Sequence, residues 1–225
     1  MQIRLHNIVM HTKVLGPGIR TAIWFQGCKR ECAGCMSPAS RPLDGGRIVD
    51  ADDVINAVIG EKNNIEGITV SGGEPFLQVD GLCYLLEAIR ERTKLGVIIY
   101  SGFTMGQLRA MKSVKIDKII DGLADLIIDG EYVDELNDGL ALRGSSNQKL
   151  NFIRERYNGC RDLYESHKRD AEVFASEKDL FFVGIPSKDT LEGWKKAADD
   201  LKIFKDIPGE HGQKIGQKAG SIEVV

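Results

Sequence analysis

The sequence CKRECAGC at residues 28–35 places three cysteines within eight positions, in the spacing Cys-x3-Cys-x2-Cys. Thiolates are soft metal ligands, and such a tight run suits an iron–sulfur cluster or a zinc ion better than a disulfide framework. The other two cysteines, Cys83 and Cys160, are distant in sequence. Three ligands would leave one iron of a 4Fe–4S cluster open to a substrate or cofactor. On spacing alone, a zinc site completed by a distant Cys or His and a chance cluster of cysteines are alternatives.

Length and composition indicate one globular domain, or a domain with an appendage. The 225 residues are 42% hydrophobic and 28% charged, which is typical of a folded protein. The formal net charge of −3 gives no electrostatic reason to expect nucleic acid or an anionic membrane as a partner. No apolar run is long enough to span a bilayer, and the first fifteen residues do not resemble a signal peptide. With an odd number of cysteines, these features predict reduced thiols and a cytoplasmic protein.

Strand-like and helix-like sequences alternate through the first two thirds of the chain. The predicted strands are TAIWF at 21–25, GITVS at 67–71, GVIIY at 96–100 and ADLII at 124–128. The predicted helices lie at 50–60, along the stripe Leu82–Ile89, and in two pieces between 104 and 123. Cys83 borders the stripe and is predicted to be a buried structural thiol. This alternation predicts a parallel α/β sheet with right-handed crossovers, and residues 1–12 are expected to form an edge strand.

Distinctive polar or glycine-rich sequences follow each of the four strands. They are the cysteine loop, Gly72-Gly73-Glu74-Pro75, Ser101-Gly102 and Asp129-Gly130. The carboxyl ends of parallel strands lie at one edge of a sheet, where α/β folds build their active sites. The sequence therefore predicts a functional site at this edge.

The character of the sequence changes near residue 158. We expect a core over residues 1–157 and a C-terminal extension over 158–225 that packs on it. The elements predicted in the extension are a helix at 161–178, a buried strand at Leu180–Ile185, a helix over Leu191–Leu201 and a strand at 221–225. We expect the Leu180–Ile185 strand to join the central sheet. If it is parallel, its end would bring Val183–Ile185 to the edge that carries the cysteines.

The cysteine spacing together with the Gly-Gly-Glu-Pro sequence resembles the radical S-adenosylmethionine (SAM) enzymes. GPGIRTAIWFQGC at residues 16–28 is similar to the opening of glycyl-radical-enzyme activating proteins. IIDGEYVDELNDGLALRGSSNQKL at 127–150 resembles the activating proteins of anaerobic ribonucleotide reductase. The likeness covers residues 1–157. It implies an incomplete parallel (β/α) barrel of the radical SAM type, here followed by a C-terminal α/β extension.

The resemblance also implies a cofactor set. Cys28, Cys32 and Cys35 would hold a 4Fe–4S cluster whose open iron binds the amino and carboxylate groups of SAM. The implied SAM-binding residues are Gly72, Gly73, Glu74, Pro75, Ser101, Asp129 and Asn147. Reduction by a one-electron donor such as flavodoxin or ferredoxin would split SAM into methionine and a 5′-deoxyadenosyl radical. No catalytic side chain is implied beyond the cluster and the cofactor.

Three functions are compatible with the sequence. The first is an activase that installs a glycyl radical on a larger partner enzyme, such as anaerobic ribonucleotide reductase. The second is a radical SAM enzyme that modifies a small molecule, a nucleotide or a peptide. Met36-Ser37 stand where reductase activators commonly have an aromatic residue and Asn, which leaves the substrate class open. The third is a non-catalytic iron–sulfur or zinc protein, which would not need the Gly-Gly-Glu-Pro sequence.

Overall fold

The structure, a computed structural model, describes residues 1–175 and 180–185, together with Gly193, Lys196, Glu223 and Val224. Apart from Gly193 and Lys196, the predicted Leu191–Leu201 helix lies outside these residues. Within the described part of the chain, no helix is both long and apolar enough to cross a bilayer.

A mixed sheet of seven strands forms the centre of the described chain. Its strands are β1 (Gln2–Thr12), β2 (Arg20–Phe25), β3 (Arg47–Asp50), β4 (Gly67–Gly72), β5 (Gly96–Ser101), β6 (Leu126–Asp129) and β7 (Lys149–Phe152). They lie in the order β3-β1-β2-β4-β5-β6-β7. The four central strands, β2, β4, β5 and β6, are parallel, whereas β1 and β7 are antiparallel to their neighbours. The predicted parallel α/β arrangement is confirmed for these four strands, and the sheet is not closed into a barrel.

Helices cover one face of this sheet. They are α1 (Ala51–Gly60), α2 (Val79–Arg92), α3 (Met105–Ala110) and α4 (Val114–Lys118), with a π-helical turn at Ile119–Leu123. Local capping explains where two of them begin. The Asp50 carboxylate accepts the Asp52 N–H at the start of α1, and Thr104 and Gln107 form a capping box on α3. On α2, Cys83 is 3% exposed, so its prediction as a buried thiol is confirmed.

Side chains alternate between the two faces of the central strands, as β-strand geometry requires. Ile23 and Phe25 of β2 belong to the core under the helices, whereas Trp24 lies in a second apolar cluster on the opposite face. On β5, Ile98 and Tyr100 likewise belong to a cluster that is separate from the helix-covered core. We call this opposite side of the sheet the inner face. Because both faces are covered, the central strands are apolar at nearly every position.

The extension differs from its prediction. After α5 (Arg161–Ser166), a second sheet forms from β8 (Ala171–Ala175), β9 (Leu180–Gly184) and β10 (Glu223–Val224), in the order β10-β9-β8. The strand predicted at 180–185 is present, but its expected place in the central sheet is wrong, because β7 already pairs with β6 at that end. The helix predicted at 161–178 is wrong from residue 167 to residue 175, where the chain turns into β8, and its last three residues lie outside the described part of the chain. The expected edge position of β1 is also wrong, because β3 lies outside it.

Arg20, at the start of β2, is fully buried and holds several separate parts of the chain together. Its guanidinium donates to five oxygens: Thr69 Oγ1 (2.7 Å), the carbonyls of Ile68 (2.5 Å), Gly96 (3.2 Å) and Pro17 (3.1 Å), and Tyr157 Oη (2.8 Å). None of these partners is a carboxylate. A buried cation is costly unless it is hydrogen-bonded, so this arrangement fixes the relative positions of β2, β4 and β5.

We expect Arg20→Lys to lower the free energy of unfolding by roughly 2–5 kcal/mol, because a lysine ammonium cannot reach all five oxygens and leaves buried acceptors unpaired. Urea denaturation of the purified protein measures the effect. Arg47→Lys is the matched control, since Arg47 is exposed on β3 and its replacement should change stability by less than about 0.5 kcal/mol. Equal effects of the two substitutions would contradict this account of Arg20.

Candidate functional site

A cavity lies at the carboxyl ends of the four parallel strands. All four distinctive sequences contribute to its lining: Cys28, Cys32 and Cys35 after β2, Gly72–Glu74 at the end of β4, Ser101-Gly102 at the end of β5, and Gly130–Tyr132 after β6. The structure therefore brings these sequences together at one edge of the sheet, as their positions after the strands predict.

Backbone hydrogen bonds position the cysteine loop. As the chain leaves β2, the Gly27 N–H donates to the Ser40 carbonyl (2.7 Å) and the Cys28 N–H to the Arg41 carbonyl (2.8 Å). Further along, the Cys35 N–H donates to the Cys32 carbonyl (3.3 Å). The loop is thus attached both to the end of β2 and to the segment that follows the third cysteine.

The three thiols are partly exposed, and each lines the cavity. The other two cysteines, which are also among the described residues, do not line it. Burial raises the pKa of the Cys28 and Cys35 thiols above the ordinary value. In the described residues, no three His, Cys, Asp or Glu side chains converge on a single metal ion.

The Gly72-Gly73-Glu74 turn passes very close to the end of β2. Gly72 has φ +116°, and a Cβ at this position would lie 2.1 Å from the Phe25 carbonyl oxygen, so only glycine fits. The Gly73 N–H donates to that same carbonyl (2.8 Å), and the Glu74 N–H donates to the Gly27 carbonyl (2.8 Å). This contact between backbones places the turn next to the cysteine loop.

The Glu74 carboxylate is almost completely buried, with 1% of the residue exposed. It accepts hydrogen bonds from the Phe76 N–H (3.1 Å), Ser101 Oγ (3.0 Å) and the Gly102 N–H (2.7 Å). Burial raises its pKa to about 6, and this effect outweighs the opposing influence of the hydrogen bonds and of Arg30. Glu74 therefore links the turn after β4 to the turn after β5.

Three of the residues predicted to bind the cofactor do not line the cavity. Pro75 is buried at the start of a 3₁₀ turn, Pro75–Gln78. Asp129 Oδ2 accepts the Met105 N–H at the start of α3 (2.5 Å), while its buried Oδ1 has no hydrogen-bond partner in the described residues. Asn147 donates to the Glu131 carbonyl (2.8 Å). By contrast, Gly72, Gly73, Glu74 and Ser101 all line the cavity with the cysteines.

Several residues of the lining were not predicted from the sequence. Trp24 and Tyr100 contribute aromatic surface from the inner face of β2 and β5. The Tyr100 hydroxyl is buried without a partner in the described residues, and burial raises its pKa. Their alternation with helix-facing residues in TAIWF and GVIIY was the signal that could have identified them.

Arg30, between the first two cysteines, is a further unpredicted residue of the lining. Its guanidinium lies over the Phe103 ring, 4.6 Å from the centroid, and donates to Glu131 Oε2 (2.8 Å) and Gln107 Oε1 (3.2 Å). The Arg30 N–H also donates to Cys28 Sγ (3.4 Å). The cysteine loop is thereby tied to the segments that follow β5 and β6. Its position within the cysteine run was the only sequence signal.

Comparison with known proteins identifies a family and several relatives. Residues 14–151 match the 4Fe-4S single cluster domain family. The anaerobic ribonucleoside-triphosphate reductase-activating protein of Escherichia coli is 30% identical over 148 residues, covering 63% of this chain and 93% of that protein. The pyruvate formate-lyase-activating enzyme of Clostridium pasteurianum is 29% identical over 136 residues, covering 59% of this chain and 54% of that enzyme. A putative glycyl-radical enzyme activating enzyme of Haemophilus influenzae is 34% identical over 101 residues, covering 44% of this chain and 38% of that enzyme.

The raised pKa of Glu74 predicts a dependence of stability on pH. The folded-state pKa of about 6 lies above the ordinary value of 4.5, so the folded protein holds this proton more tightly than the unfolded chain. The contribution of Glu74 to the free energy of unfolding should therefore fall by about 2 kcal/mol as pH rises from below 4.5 to above 6.

Urea denaturation of the metal-free protein and of Glu74→Gln across this pH range measures the contribution as a difference between the two curves. Glu66→Gln, which alters an exposed carboxylate next to β4, is the control. If the difference in the free energy of unfolding between the wild-type protein and Glu74→Gln did not change with pH, the raised pKa of Glu74 would be contradicted.

Proposed function

We propose that this chain, which belongs to the 4Fe-4S single cluster domain family, is a radical SAM enzyme that installs a glycyl radical on a partner enzyme. The observation that carries the proposal is the single cavity that the three cysteines share with the Gly-Gly-Glu turn. The names of the relatives support it, because they are activating proteins of anaerobic ribonucleoside-triphosphate reductase and of pyruvate formate-lyase.

The donor set fits a 4Fe–4S cluster. Cys28, Cys32 and Cys35 would each ligate one iron, leaving the fourth iron free of protein ligands. Thiolates in this cavity would be distributed over different irons, so they need not converge on one point. The pKa values of the Cys28 and Cys35 thiols are raised, so both thiols hold a proton in the protein without a cluster. These protons would be released when the thiolates bind iron. The Arg30 N–H on Cys28 Sγ would stabilise the ligand in its ionised form.

The same cavity offers groups suited to the methionine end of SAM. Gly72 and Gly73 present backbone without side chains, and Glu74 keeps one of about four acceptor positions free for an amino group. Ser101 holds the Glu74 carboxylate in place. Pro75 fixes the exit of the turn, and Asp129 and Asn147 support the segments behind the lining. Trp24 and Tyr100 would exclude water from the reaction.

The cluster and SAM, when bound, supply a one-electron cleavage of SAM to methionine and a 5′-deoxyadenosyl radical that takes a hydrogen atom from the substrate. The role of the chain is to hold both groups in one water-poor cavity. A one-electron donor such as flavodoxin or ferredoxin would deliver the electron, and the partner would present its glycine at the carboxyl edge of the sheet. Neither a nucleic acid nor a membrane is needed, and the enzyme would work in the cytoplasm.

We further propose that the central sheet is an incomplete (β/α) barrel of the radical SAM type, with a core over 1–157 and an extension over 158–225. The four parallel strands with helices on one face support this description. So does the position of the cavity at their carboxyl ends. A macromolecular substrate would approach the cavity at this carboxyl edge.

Anaerobic reconstitution should give close to four irons and four sulfides per chain, with the charge-transfer absorption of an iron–sulfur protein. Alanine at Cys28, Cys32 or Cys35 should remove the cluster and abolish SAM cleavage. Cys83→Ala is the matched control and should retain both, because that thiol is buried on α2 away from the cavity. Stoichiometric zinc without this absorption, or loss of the cluster in Cys83→Ala, would contradict the ligand assignment.

The activase function is tested by incubating the reconstituted protein anaerobically with SAM, a reductant and a candidate glycyl-radical enzyme. Electron paramagnetic resonance should then show a glycyl radical on the partner. Substitution of the acceptor glycine by alanine should remove the signal. SAM cleavage without any radical on such partners would favour a different substrate.

A further inference from the structure

Part of the extension reaches the cavity although it lies beyond the family match, which ends at residue 151. We call the described residues 169–175 and 180–185 the wall segment. Two of them, Gly184 and Ile185, line the same cavity as the cysteines. Three independent anchors hold the wall segment against the rest of the chain.

The first anchor is Arg169, whose side chain is 3% exposed. It donates to the Leu140 carbonyl (2.9 Å), Asn137 Oδ1 (2.9 Å) and the Gly144 carbonyl (2.7 Å). Gly144 itself lines the cavity. The start of the wall segment is thereby fixed to the long loop between β6 and β7.

The second anchor is Glu172 on β8. Its carboxylate accepts the hydroxyl of Thr12 (2.5 Å) and the N–H of Lys13 (3.1 Å), where β1 ends. Thr12 is 1% exposed, so the donor of this hydrogen bond is buried. It attaches the wall segment near the opposite end of the central sheet from the first anchor.

The third anchor is apolar. Val183 of β9 is fully buried in the inner-face cluster that includes Leu15 and Trp24, both of which line the cavity. The next residue, Gly184, has φ +120°, and a Cβ there would lie 2.7 Å from the Asp170 carbonyl oxygen. Glycine therefore allows β9 to end close to the start of β8, and the following residue, Ile185, reaches the cavity.

We propose that the wall segment closes the cofactor cavity on the side that the unclosed sheet leaves open, and that Ile185 is a positioning residue for bound SAM. The inference rests on the proposed function. The wall segment is bonded to the β1 side and to the β6–β7 side of the sheet, so it spans the inner face between them. Ile185 contributes apolar surface that the cofactor would cover, and that burial contributes to affinity.

Ile185→Asn tests the proposal, with Val173→Asn as the matched control on the same small sheet, where Val173 is 45% exposed. The reconstituted full-length proteins are titrated with S-adenosylhomocysteine, a SAM analogue that lacks the cleavable sulfonium, by anaerobic calorimetry. We expect about tenfold weaker binding for Ile185→Asn and unchanged binding for Val173→Asn, with equal iron content in both.

A second measurement uses the wild-type protein, in case the variant does not fold. Amide hydrogen exchange in residues 180–185 should slow when S-adenosylhomocysteine is added. Unchanged exchange in this stretch, or equal affinities of the two variants, would overturn the role of the wall segment while leaving the proposed function intact. Failure of the wild-type protein to bind the analogue would overturn the proposed function and this inference with it.

Discussion

The buried guanidinium of Arg20 is the interaction on which the rest of the structure depends. It donates to oxygens from the Gly-Pro-Gly turn, from β4, from the start of β5 and from Tyr157 beyond β7. A charge without a carboxylate partner is tolerated in this position only because its donors are satisfied together. The strands are consequently aligned at their amino ends. That alignment determines how their carboxyl ends, and the groups attached to them, meet at the opposite edge.

At the carboxyl edge of the sheet, the Gly-Gly-Glu turn and the cysteine loop are held together by contacts between their backbones rather than between their side chains. Gly72 lets β4 pass against the end of β2 at a distance that any side chain would block. The Gly-Gly-Glu turn and the cysteine loop are then joined by main-chain hydrogen bonds, which depend less on rotamers than side-chain contacts do. Glu74 and Arg30 extend this framework to the segments after β5 and β6. These contacts join the segments that follow β2, β4, β5 and β6 into one hydrogen-bonded framework.

The sequence predicted the strands that are apolar on both faces and the edge where the distinctive sequences meet. It did not predict β3 or β7, because each has only four residues and neither carries a buried apolar run, as KLNF illustrates. Spacing locates a residue at the end of a strand but does not determine where its side chain points. Asp129 shows this, since one of its oxygens caps α3. The second sheet was missed because its pairings depend on tertiary contacts.

The hydrogen bond between Thr12 and Glu172 joins residues that are 160 positions apart in the sequence. Contacts over such separations are among the slowest to form, and a chain emerging from the ribosome makes its N-terminal contacts first. The cysteine loop and the Gly-Gly-Glu turn, by contrast, lie within the first 74 residues. The order of synthesis thus exposes the thiols before the wall segment exists.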